Sequence, residues 1–204
     1  MNGEILYPVS MIPFIDLKLG STLMTLPMKR LSVSCNQVGH WLLLVGPNTI
    51  RPILANIIAG LAIEEPVRVL DCGRMLNGIE ISMNLRDRSE ALERVSFTRA
   101  GSCPEVLKAL EDTPSIAAPF VVLNLLHPFY NDSLVIATRK RLLRECLEHL
   151  NRLSKTAGGA VSVCPPKLPS KERAALFKMV EEAARDNTYR VQVVVPSPDL
   201  RRFY

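Results

Sequence analysis

The chain has 204 residues, 48% hydrophobic, 22% charged and 5% aromatic, with a formal net charge of +5. That balance excludes disorder as the main state and is enough chain for one α/β domain with an aliphatic core. No apolar run approaches the ~20 residues of a membrane-spanning helix, and no basic stretch leads into an apolar one at the N-terminus, so neither a span nor a signal peptide is expected.

The first 38 residues read as an irregular lead-in that covers one edge of a sheet. Residues Phe14 to Leu19 alternate apolar and polar with period two, and Leu31 to Ser34 do so again. Pro8, Pro13 and Pro27 divide the region into short pieces.

From residue 39 to 204 the pattern is regular. Strand-length apolar runs occur at 40–45, 67–70, 95–98, 119–123, 160–164 and 190–195. Several are continuous, which suits strands buried on both faces of a parallel sheet. Helical segments lie between them. The segment 52–62 is apolar nearly all round and should be buried. Ser102 and Glu105 form a capping box ahead of Val106, Leu107 and Leu110. The segment 136–155 carries Leu143, Cys146, Leu147, Leu150 and Leu153 on one stripe. On its other side Arg141, Arg144, Glu145, Glu148 and Arg152 are spaced for i,i+4 pairs on a solvated face. The segment 170–185 carries Ala174, Leu176, Phe177, Val180 and Ala184, with Ser170 as its cap. Alternating strands and helices predict right-handed βαβ crossovers.

In such a sheet, ligands gather at the carboxyl ends of the strands. The first of these turns, Gly46-Pro47-Asn48-Thr49-Ile50-Arg51-Pro52-Ile53, has the layout of a P-loop: strand, glycine, short loop, helix. A working P-loop needs Gly, four residues, then Gly-Lys-Ser/Thr, which cradle phosphate and hold Mg²⁺. Counting from Gly46, those last three positions are Arg51, Pro52 and Ile53. Pro52 begins a helix well, but it brings neither an N–H nor a charge. Asn48 or Thr49 is expected to cap the helix, with Arg51 turned to solvent.

The segments that follow carry a family resemblance. Val67 to Gly73 resembles the second core strand of RecA-like ATPases, which ends in Asp closely followed by a catalytic Glu. Arg94 to Ala100 is similar to their next strand, and Phe120 to Asn124 stands in the place of their Walker B strand, which ends in Asp. Residues 159 to 164 match the strand that precedes their second DNA-contacting loop. The resemblance runs from Gly39 to Val195. It implies a single RecA-like α/β domain, with a mostly parallel central sheet and helices on both faces. It also places the strand ending at Cys164 between those ending at Val45 and Asn124.

Against that family, Pro52 and Ile53 replace the phosphate-loop Lys and hydroxyl, Asn124 stands at the Walker B Asp and Gly73 at the catalytic Glu. Phosphoryl transfer depends on charge positioned around phosphate and metal, so ATP hydrolysis is not expected. The reading is a pseudo-ATPase, without cofactor, that serves as a binding or assembly partner in DNA recombination or repair. A protein partner or a homo-oligomer is expected, with no membrane role. One alternative is an ATPase whose unconventional phosphate site uses Asn48, Arg51 and Asp71. Another is direct DNA binding through the basic C-terminal third. From Arg139 onward there are 14 basic and 7 acidic residues, net +7, against 11 and 13, net −2, before it. Its contacts would be Lys167, Lys171, Arg201 and Arg202, which lie on loops or the tail.

Two further groups sit near the expected cleft. Asp71 should form an ion pair with Arg74 or Arg99 at the strand tips, and His127 should lie in a turn fixed by Pro128. The five cysteines, Cys35, Cys72, Cys103, Cys146 and Cys164, form no C-x-x-C and read as reduced, buried thiols of a cytoplasmic protein. The three histidines give no metal cluster.

Overall fold

The computed structural model describes residues 14–19, 22–27, 38–47, 50–76, 78–85, 88–131, 133–166, 170–184 and 188–191. In chain order the elements are β1 (Phe14–Leu19), β2 (Thr22–Pro27), β3 (Trp41–Val45), α1 (Arg51–Glu64), β4 (Val67–Asp71), α2 (Gly78–Asn84), a 3₁₀ segment (Ser89–Arg94), β5 (Val95–Arg99), α3 (Cys103–Glu111), β6 (Phe120–Leu123), α4 (Leu126–Asn131), α5 (Ile136–Ser154), β7 (Gly159–Val163), α6 (Lys171–Ala184) and β8 (Thr188–Val191). The sheet is eight-stranded, in the order β2-β1-β8-β3-β7-β6-β4-β5. Strands β8 through β5 run parallel, and the β1–β2 hairpin adds antiparallel strands beyond β8. The strand ending at Val163 therefore lies between those ending at Val45 and Leu123. The segment Leu31 to Ser34 falls outside the described residues.

The period-two alternation of side chains across a strand divides the core into two layers. Leu42 and Leu44 of β3 join Ile53, Leu54, Ile57, Ile58 and Leu61 of α1, with Val69 and Val121, on one face. Trp41, Leu43 and Val45 join Leu143, Cys146, Leu147 and Leu150 of α5, with Val106, Leu176 and Val180, on the other. Helix α1 is buried on most of its surface because strands, α2 and the 3₁₀ segment surround it. Trp41 settles its one polar atom by donating from Nε1 to Asn151 Oδ1 at 2.9 Å. Among the strands whose burial is described, the exception is β5, paired only to β4, where Ser96, Phe97, Thr98 and Arg99 are exposed. It is a sheet edge rather than a strand buried on both faces.

Several local expectations change in the fold. The Ser102–Glu105 box does not close: Ser102 occupies the cap position without a side-chain bond, and Glu105 Oε2 accepts the N–H of Gly101, one residue before the cap, at 2.7 Å. On α5, Arg141 pairs with Glu145 at 2.7 Å, but Arg152 does not join Glu148. It turns to the end of α3 and donates to the Leu110 and Thr113 carbonyls and to Ser115 Oγ. Arg68 reinforces the same loop by donating to the Pro114, Ile116 and Ala118 carbonyls. Free carbonyls past a helix end attract guanidinium groups, and this attraction wins over a weak solvated pair. Ser170 Oγ accepts the Arg173 N–H at 3.4 Å, as a helix cap does.

Cys72, Cys103 and Cys146 are buried and Cys164 is half-buried; Cys35 lies outside the described residues. Burial, and then the Asp71 carboxylate beside it, pushes the Cys72 thiol well up, and burial pushes Cys146 up to about 12. Both stay protonated and inert at neutral pH. Among the described residues no helix is long and apolar enough to cross a membrane.

Candidate functional site

The carboxyl ends of β3, β7, β6 and β4 come together at one edge of the sheet, and the loops that leave them lock into one another. Gly46 donates its N–H to the Val163 carbonyl at 3.1 Å, and Cys164 Sγ donates back to the Gly46 carbonyl at 3.2 Å. Ser162 Oγ accepts the Asn124 N–H at 2.8 Å, and Cys72 donates its N–H to Leu123. These bonds let the chain leave β6 sharply, and Asn124 takes a left-handed φ of 53° to do so. Asn is among the few residues that tolerate that region.

Asp71 closes the loop after β4. Its Oδ1 accepts the N–H groups of Gly73 at 3.1 Å and Met75 at 2.9 Å, and its Oδ2 accepts that of Leu76 at 3.4 Å. The expected ion pair with Arg74 or Arg99 is not formed. Three backbone donors are nearer at hand and need no long side chain to be ordered. Arg99 instead donates to the Leu76 carbonyl and lies over the Phe97 ring. Arg74 is exposed at a positive φ of 50°.

Gly73 and Asn124 fit one another. A Cβ built on Gly73 would lie 2.6 Å from Asn124 Nδ2 and 3.0 Å from Asn124 Cβ. No side chain fits at 73 while Asn124 keeps its place.

Among its described residues, the turn Gly46 to Ile53 offers few donors. Pro47 and Pro52 carry no N–H. The Gly46 and Ile50 N–H groups are committed, the latter to the Pro47 carbonyl at 3.1 Å. Asn48 and Thr49 lie outside the described residues. The helix cap position is Ile50, whose side chain is buried and makes no cap bond, in place of the expected Asn or Thr cap. Ile53 is buried and Arg51 exposed. The cofactor that the resemblance implies, a nucleotide with Mg²⁺, is poorly matched by this set. Among the described residues of the turn two amides remain, those of Arg51 and Ile53, and the Asp71 carboxylate is spent on backbone. Among the described residues, no group of three or more His, Cys, Asp or Glu side chains could hold a metal ion.

His127 is exposed on α4 rather than in a turn; Pro128 falls in the first turn of that helix, where a missing N–H costs nothing. Its Nδ1 faces Asn131 Nδ2 at 3.4 Å. Lys171 is exposed at the start of α6, while Lys167, Arg201 and Arg202 lie outside the described residues. Sequence reasoning missed Arg139 and Arg173. Arg139 is buried, pairs with Glu172 at 2.7 Å and donates to the Phe129 carbonyl. Arg173 donates to the Tyr130 carbonyl and lies 5.5 Å from the centre of its ring. Together they clamp the start of α6 against α4, a pairing between distant segments with no local sequence signal.

Strand order and the helix layers on both faces make the chain a single α/β domain, with β7 between β3 and β6 as the RecA-like resemblance led one to expect. No family model matches the chain, and no curated protein does. Among solved structures it is similar to the crystal structure of the RadB recombinase, with 17% identity and a TM-score of 0.45 over 63% of this chain and 62% of that one. The match thus spans about three-fifths of RadB's length.

Proposed function

We propose that the chain is a RecA-like protein without nucleotide chemistry, a pseudo-ATPase that serves as a binding or assembly partner in DNA recombination or repair. The observation that supports it most is the contact of Gly73 with Asn124. The resemblance assigns a catalytic Glu and a metal-holding Asp to these two positions. Here one lacks a side chain because the other's amide fills its space. Restoring a Glu at 73 would displace Asn124, so the two departures form one rearrangement. The phosphate turn departs in the same direction, with Pro47 and Pro52 removing donors that a triphosphate would need. The recombination or repair setting follows from the family resemblance, and assembly follows as the role left to such a fold once catalysis is gone.

ATP with Mg²⁺ is expected neither to be hydrolysed nor to raise the melting temperature. A ligand at 100 times its Kd stabilises by ~2.7 kcal/mol, which is easily seen by calorimetry. A Mg²⁺-dependent rise at millimolar ATP, or steady phosphate release, would overturn the reading and favour the unconventional ATPase.

A further inference from the structure

A second concavity lies at the same end of the sheet, clear of the phosphate turn. It is a cavity of about 230 Å³ walled by His127, Tyr130 and Asn131 of α4, Arg173 of α6 and the Cys164 loop, with Asn124 among its lining residues. None of the described residues from Gly46 to Ile53 lines it. Three features mark it as more than a packing defect. Asn124, in the lining, is only 5% exposed, and among the described residues its carboxamide has no hydrogen-bond partner. The Tyr130 hydroxyl is buried and likewise unpartnered among the described residues, which costs stability unless a ligand or water completes it. Arg173 is held in the wall by the Tyr130 carbonyl and ring, and among the described residues no carboxylate pairs with it. Its other N–H groups remain for a ligand, because guanidinium carries five donors and no acceptor.

We propose that this cavity binds a small oxyanion, free phosphate or a phosphomonoester, held by the Arg173 guanidinium and the Asn124 amide with His127 and Asn131 at the rim. One fixed cation beside neutral polar groups in a small concavity suits a compact, oxygen-rich anion.

The test is a calorimetric titration of the whole chain with sodium phosphate, against sodium chloride at equal ionic strength. Saturable binding is expected in phosphate alone. Arg173→Gln should weaken it about tenfold, the value of a charge-assisted hydrogen bond. Asn124→Gly, which suits the left-handed backbone, should weaken it too. Because Arg173 also braces Tyr130, the exposed His127→Ala supplies a variant whose fold is not at stake, and it should lose affinity as well. Lys178→Ala, on α6 but outside the lining, should bind like wild type. Competition by a 5′-phosphorylated dinucleotide but not its 5′-hydroxyl counterpart would assign the pocket to phosphomonoesters. Competition by neither would assign it to the free anion. No saturable phosphate binding, or equal affinity in Asn124→Gly and His127→Ala, would overturn the proposal.

Discussion

Leu43→Ala should lower unfolding free energy by ~2–5 kcal/mol, as truncation of a fully packed leucine does. Leu43 has no exposed surface and sits at the middle of β3, where it pairs in parallel with Val161 of β7 and Thr188 of β8. It belongs to the layer that holds α5, so neighbours on a long, well-anchored helix cannot easily relax into the space left behind. Urea denaturation of the two proteins measures the difference. A loss below about 1 kcal/mol, the range of ordinary surface changes, would mean that β3 is not central. Ile57 and Ile58 of α1 lie with Leu42 and Leu44 on the other face of the sheet, so Leu42→Ala probes the α1 layer separately.

Gly159→Ala should cost ~1–3 kcal/mol or more through overpacking. Gly159 opens β7 between Trp41 and Phe120, and a Cβ built there would lie 2.6 Å from Cε1 and Cε2 of the Phe120 ring. Phe120 is itself buried and flanked by strands, so the ring has little freedom to withdraw. The mechanism makes a second claim. Phe120→Leu removes the obstructing ring edge, so Gly159→Ala should be better tolerated in that background. The double-mutant cycle should show favourable coupling of ~0.5–3 kcal/mol, the range for residues in contact. Additive effects would mean that the ring is not what excludes the methyl group.

The parts of the fold that were legible in the sequence are those where one periodicity dominates. The continuous run at β3 and the leucine stripe of α5 have a single sensible burial pattern, and their ends fall within a residue or two of expectation. Helices α2 and α4 were not legible. They are short, and tertiary contacts rather than propensity hold them. At the strand tips the resemblance indicates which positions to compare, because motif positions can be counted. It does not indicate what the residues at those positions bond to. Asp71 had arginines nearby in sequence but found amides two to five residues away in its own turn. Arg139 and Arg173 find Glu172 and Tyr130 only after α6 has docked beside α4. Hydrogen bonds to backbone groups leave no residue-type signature, so the clamp and the cavity beside it become visible only in three dimensions.

The central position of β3 also shapes how the chain comes to be folded. Both of its neighbours, β7 and β8, lie in the last quarter of the sequence. Gly46 meets Cys164 across 118 positions. During synthesis the most apolar strand emerges early and has no hydrogen-bonding partner until most of the polypeptide has left the ribosome. Loops of that length are entropically slow to close, and topologies rich in distant pairings fold slowly. A nascent or truncated product ending before residue 159 would hold Trp41 to Val45 with both edges unpaired, in an aggregation-prone state. The sheet's assembly is therefore timed by its final elements rather than its first.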